Sequence, residues 1–227
     1  MTDNTDLTKR LPRGGIPSPR HELAAAMPHV PDLNIIIPSS FLMWPVQMDS
    51  WNNYTYGDCT TAEEAFAKAT AVMTTMQTQG FHFNGKTYDD GPHFAVNWTN
   101  PAILESAIYS HGPVKIGVAA EYFQSAAPGQ HGVVTPGTNG WAMYKYPTTS
   151  TQQEDHYVSL CGYGTLAQLV ALFKQHGVTV HAPAGMPTGL CYAMFTWNSI
   201  GIIDQQSMLN MTHEAWLRNP VTVVKIG

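Results

Sequence analysis

Glu154-Asp155-His156-Tyr157-Val158-Ser159-Leu160-Cys161-Gly162-Tyr163-Gly164 decides how this chain is read. A short apolar run closed by glycines has the length of a β-strand rather than a helix, and here a histidine opens it. Two other segments complete the pattern. Gly57-Asp58-Cys59 stands directly before Thr60-Thr61-Ala62-Glu63-Glu64-Ala65-Phe66-Ala67-Lys68-Ala69, a helix-forming run. Trp197-Asn198-Ser199 follows Tyr192-Ala193-Met194-Phe195-Thr196, a second strand-like run. A thiol at a helix start is thus combined with an imidazole and an amide carried on strands. The thiolate is the reactive form of cysteine, and a helix N-terminus and an adjacent imidazolium both lower the thiol pKa. An amide can hold the imidazole in a useful orientation. Cys59, His156 and Asn198 are therefore the candidate catalytic residues.

Composition narrows the class. The chain has 227 residues, enough for one large domain or two closely packed lobes. Hydrophobic residues make up 44%, which supplies a core, while charged residues are only 12%, about half of the ~25% usual for a soluble domain. A surface so poor in charge suits a protein packed into an assembly, or one with much buried surface. A net charge of −5 and the lack of a basic stripe argue against binding a nucleic-acid backbone. The N-terminus is polar and acidic, with no apolar stretch of the signal-peptide kind, and no apolar run is long enough to span a bilayer. The cysteines are Cys59, Cys161 and Cys191. So small and odd a number points to a reduced compartment, and the expected location is cytoplasmic. Cys161 and Cys191 lie in apolar runs and read as buried small hydrophobes.

Residues 1–34 read as an extended arm, rich in proline and glycine, that packs along the body or along a second copy. Residues 35–227 read as the domain proper. Residues 33–46 form an extended segment broken by Pro38 and Pro45, and the main helix covers residues 60–79 before Gly80. Residues 81–98 read as a connection. Asn100-Pro101 starts a short helix over residues 102–109. Strands are then expected at residues 114–118, 140–144, 156–161, 191–196 and 221–226, with a helix at 166–174. Helices come first and strands second, so the class is α+β, with a helical lobe at about residues 50–110 and a sheet lobe at about 111–227.

In this order and context the motifs resemble the papain-like cysteine peptidase family. Asp155-His156 through Gly162-Tyr163-Gly164 looks like that family's D-H-A-V…G-Y-G strand, and Asn198-Ser199-Ile200-Gly201 looks like its N-S-W-G. The stretch from Ala107 through Gly112-Pro113-Val114 to Ile116 is similar to the short helix, G-P-V and strand that precede the family's histidine. Gly57-Asp58-Cys59 fits its G-S-C, and short bacterial and phage-encoded chains with a G-D-C-T start fall within the same wider resemblance. The resemblance implies a two-lobe fold in which a helical lobe with the nucleophile helix faces an antiparallel sheet lobe. It also implies a role for Asn53, six residues before Cys59, as oxyanion-hole donor where the family has Gln. Thr60 and Ile200 stand where the family has Trp.

The expected function is a cysteine hydrolase that cuts a peptide or amide bond through Cys59, His156 and Asn198, without a cofactor. The histidines show no zinc-ligand spacing, so no metal is expected. The alternative is a non-catalytic papain-like module within a homo-oligomer or larger assembly, joined through the N-terminal arm. Neither reading involves nucleic acid or a membrane. Trp141, Trp197 and Trp216 are expected to pack in the core or at its rim.

Overall fold

The computed structural model describes residues 26–32, 34–45, 81–83, 86–89, 93–120, 123, 132–147, 154–218 and 223–226. In chain order the elements are β1 (Phe41–Leu42), β2 (Phe81–Phe83), β3 (Lys86–Asp89), β4 (His93–Ala95), α1 (Pro101–His111), β5 (Val114–Val118), β6 (Trp141–Met143), β7 (His156–Thr165), α2 (Leu166–Gln175), β8 (Leu190–Thr196), β9 (Ser199–Asp204), α3 (Gln205–Met211), β10 (Thr212–Arg218) and β11 (Val223–Ile226). The mixture of helices with a mostly antiparallel sheet is compatible with the α+β class. No helix among the described residues is long and apolar enough to cross a membrane.

The main sheet has the order β4-β10-β5-β7-β8-β9-β6, with β1 on a further stretch of β7. Every pairing in it is antiparallel except β6 with β9. β7 is the central strand. Its first half pairs with β5, from Val118↔His156 to Val114↔Leu160, and its second half meets β1 at Leu42↔Gly162. The switch comes at a register shift between Leu160 and Gly162. Gly162 is glycine for a steric reason, since a Cβ there would lie 2.6 Å from the Phe41 carbonyl oxygen.

Both faces of this sheet are covered, which is why β7 and β8 read as continuous apolar runs rather than alternating ones. On one face Val158, Leu160, Tyr192 and Met194 pack with Leu104, Ala107 and Ile108 of α1 and with Met208 and Met211 of α3. On the other, Cys161, Cys191, Ala193 and Phe195 pack with Leu169 and Phe173 of α2. The helix boundaries follow local chemistry. Asn100 caps α1 by accepting from the Ala102 amide, Pro101 takes the first turn, and Gly112 closes it at φ +98°. Thr165 and Gln168 form a reciprocal capping box at the start of α2. The expected helices at 102–109 and 166–174 thus form, each slightly longer than expected. The expected strands at 114–118 and 191–196 form too.

Four sequence expectations need correction. Residues 81–98 are not a plain connection: β2, β3 and β4 lie there. The strand that begins at His156 does not stop at Cys161 but runs through the glycines to Thr165. Residues 199–218, for which no elements were expected, hold β9, α3 and β10. The C-terminal strand, β11, leaves the main sheet and pairs with β3 in a three-stranded sheet of order β11-β3-β2. Short polar strands such as Lys86–Asp89 carry little local signal, and only the partner strand defines them.

Residues 26–32, within the segment read from sequence as the arm, run beside β4. Pro28 bridges to Ala95 in parallel, with the His29 amide donating to the Ala95 carbonyl at 2.8 Å and the Ala95 amide donating to Met27 at 2.9 Å. It thereby covers the outer edge of β4.

Candidate functional site

His156 opens β7, and its neighbours come from three parts of the chain. The β7–β8 register of Ser159↔Phe195 and Leu160↔Met194 carries Thr196, the last residue of β8, alongside the start of β7. The Thr196 hydroxyl lies 2.8 Å from His156 Nε2, and both residues are fully buried. Trp197 stacks flat on the imidazole, with ring centroids 4.3 Å apart and planes 13° from parallel. Phe123 meets His156 and Trp197 edge-on, at 6.4 and 5.8 Å. Tyr146, edge-on to Phe123 at 6.0 Å, donates its hydroxyl to the Ala119 carbonyl. The residue before the histidine is anchored as well: Asp155 Oδ1 accepts from the Ala120 amide at 2.7 Å.

The corner that supplies Thr196 and Trp197 is a tight hairpin. Thr196 pairs with Ser199, leaving Trp197 at φ +44° and Asn198 at φ +54° as its two turn residues. Two successive positive φ angles are the signature of a type I′ turn, whose twist matches that of paired strands. Asn tolerates this region, whereas a bulky Trp pays about 1–2 kcal/mol for it. The turn is braced from several sides. Ser199 Oγ donates to the Thr196 carbonyl at 2.6 Å and accepts from Trp141 Nε1 at 3.1 Å. The Gly137 amide donates to the Trp197 carbonyl at 3.0 Å, and the Ile200 amide donates to Asn139 Oδ1 at 3.1 Å. Gly201 has to be glycine, because a Cβ there would sit 2.0 Å from the Trp141 indole.

Of the residues singled out by sequence, His156 and Asn198 are brought to the same corner of the sheet. Asn198 Oδ1 is buried and makes no hydrogen bond. Cys59 and Asn53 lie outside the described residues, as does the expected helix at 60–79. Cys161 and Cys191 are both buried, and burial pushes the Cys191 thiol up to about 12, away from the reactive thiolate form. Trp141, Trp197 and Trp216 are buried, as expected. Among the described residues no group of three or more His, Cys, Asp or Glu side chains is placed to hold a metal ion.

Sequence reasoning missed Thr196 and Trp197 as neighbours of the histidine. The available signal was weak: a polar β-branched residue ending an apolar run, then an aromatic. It also missed a polar cluster on the opposite face of the sheet. There the Tyr157 hydroxyl donates to Glu214 Oε1 at 2.9 Å, and Lys115 Nζ lies 4.6 Å above the Tyr157 ring. The Glu154 carboxylate sits over Gly117, where a Cβ would lie 2.1 Å from its Oε1. Burial, and then the neighbouring Glu214, push Glu154 up to about 8. Val114, Ile116 and Val118 alternate along β5 with Lys115 and Gly117, yet the second face is not solvated: Lys115, like Glu154 and Glu214, is buried.

No protein-family model matches the chain, and no curated protein matches it.

Proposed function

We propose that the chain is a cysteine hydrolase of papain-like, two-lobe type that acts on a peptide or amide bond. Cys59 is the nucleophile, and His156 takes its proton and later returns it to the leaving amine. The Cys59 backbone N–H and the Asn53 amide stabilise the developing oxyanion. A polar group at the β8–β9 corner, where Thr196 and Asn198 both lie, orients the imidazole. The observation that carries this reading is the way the His156 ring is held. One nitrogen meets a buried hydroxyl, and one face lies on an indole kept in a strained left-handed conformation. Backbone strain of this kind collects where a side chain must be aimed. The histidine also opens a strand and is followed by Gly162-Tyr163-Gly164, which resembles the G-Y-G of the papain-like family's histidine strand.

Alkylation tests this. Native protein treated with limiting iodoacetamide and measured by intact mass should gain one fast adduct on Cys59, with Cys161 and Cys191 silent because both are buried. His156→Ala should remove the rate advantage at neutral pH. If Cys59 reacts no faster than a free thiol, the hydrolase reading fails.

A second reading is a non-catalytic module of the same architecture in an assembly through its N-terminal arm. The complete burial of His156 favours it, because a ring with no exposed surface meets no substrate. It predicts an unreactive Cys59 and a discrete multimer by light scattering that survives Cys59→Ala. A monomer with a fast-reacting Cys59 excludes it.

A further inference from the structure

We infer that Thr196, rather than Asn198, is the positioning residue for the His156 ring, and that it sets the tautomer in which His156 acts as a base. This rests on reading His156 as the proton acceptor of the site. The Thr196 hydroxyl is 2.8 Å from Nε2, and both partners are shut away from water. In so dry a place a hydroxyl–imidazole bond is not exchanged for solvent. The direction of that hydroxyl is fixed twice over. Threonine is β-branched and stiff at χ1. Its carbonyl is held by Ser199 Oγ, which is itself held by Trp141 Nε1.

Asn198 has a different explanation. It is the second residue of a two-residue turn at φ +54°, a position that suits asparagine whatever its side chain does. Its Oδ1 is buried without a hydrogen bond, so no His156 N–H donates to it. The sequence motif therefore marks the right corner but the wrong side chain for this bond, by two residues.

The chemistry follows from a hydroxyl's ability to accept without carrying charge. With Nε2–H donating to Thr196 Oγ1, the lone pair is on Nδ1. Nδ1 is then the nitrogen that takes the nucleophile's proton on the hydrolase reading, giving a thiolate and an imidazolium. The Nε2–H bond to Thr196 persists through the transfer, so the ring does not have to turn. Trp197 holds the plane of the ring, and Thr196 holds its rotation within that plane.

The test uses the full chain labelled with nitrogen-15 histidine, and compares it with Thr196→Val, Thr196→Ser and Asn198→Gly. Imidazole nitrogen shifts should show wild-type His156 as the Nε2–H tautomer near neutral pH. Thr196→Val, nearly isosteric, should lose that preference and slow Cys59 alkylation by about tenfold or more, with a displaced pH profile. Thr196→Ser should restore both. An Nδ1–H tautomer in the wild type overturns the inference without any variant. So does a Thr196→Val protein with wild-type shifts and pH profile, or a loss that follows Asn198→Gly and not Thr196→Val. If wild-type Cys59 is no more reactive than a free thiol while the tautomer result holds, the hydrolase reading falls and the positioning by Thr196 stands.

Discussion

The buried carboxyl of Glu154 gives this fold one source of pH-dependent stability. Its folded pKa, about 8, is raised first by burial and then by Glu214, with the Tyr157 hydroxyl acting the other way. The sign is fixed by linkage. Between about pH 4.5 and 8 the unfolded chain releases a proton that the folded chain keeps, so stability falls as pH rises through that window. Glu154→Gln keeps the shape and removes the proton. It should melt with the wild type near pH 4.5 and increasingly above it towards pH 8, by several degrees, since about 1 kcal/mol shifts a chain of this size by about 2–4 °C. Parallel pH dependences in the two proteins would show that Glu154 is not the titrating group. The same cluster explains Gly117: Tyr157 and Glu214 flank it across the strands, and only the absence of a Cβ leaves room for the Glu154 carboxyl between them.

Among the elements, β7 decides most, because it is shared by β5, β8 and β1. Its glycines are where partners change. Gly162 sits beside the register shift, admits the Phe41 carbonyl to within a hydrogen-bonded strand's distance, and leaves the Cys161 carbonyl to accept from the Met43 amide at 2.8 Å. Gly162→Val should therefore drive β1 off β7, costing about 1–3 kcal/mol as other overpacked sites do. Hydrogen exchange reads this directly. The Met43 amide should lose protection while the amides of Val114–Val118 keep theirs. Protection at Met43 equal to that of the wild type would mean that β1 accommodates the side chain. The capping of α2 by Thr165 follows at once from the end of β7, so the glycine run, the strand end and the helix start form one continuous device.

For the molecule as a whole, the arm and the body meet where residues 27–29 cover the edge of β4. His29 lies edge-on to His111, at the end of α1, with ring centroids 5.2 Å apart. Burial, and then His111, lower the His29 pKa. A histidine lowered in the folded state takes up its proton less readily than the free arm does. The docking energy is therefore intact above about pH 6.5 and falls as pH drops below it. Deleting residues 1–30 should lower the melting temperature at pH 7 and open the Ala95 amide to exchange. The gap between the full chain and the deletion should narrow at pH 5. Equal melting temperatures at pH 7, with Ala95 still protected, would show that the arm adds nothing to the body. Met27 and Val30 remain 64% and 77% exposed, so the hydrogen bonds and the His29 contact, not apolar burial at those two side chains, hold this segment.

The sequence by itself determined what acts over a few residues. Asn100-Pro101 and Gly112 bound α1, Thr165 and Gln168 start α2, and the glycine-closed run after His156 is a strand, because caps, turns and short apolar runs are local devices. It also placed Cys161 and Cys191 in the core. Strand pairing decided the rest. Whether Thr196 or Asn198 meets the imidazole depends on a β7–β8 register and a hairpin turn that no spacing along the chain reveals. Lys115, Glu154 and Glu214 look like solvated charges until strands far apart in sequence bring them to one covered face. The strand at Val223–Ile226 is legible locally, but its partner is not: it pairs with Lys86–Asp89, a polar segment that becomes a strand only between β2 and β11.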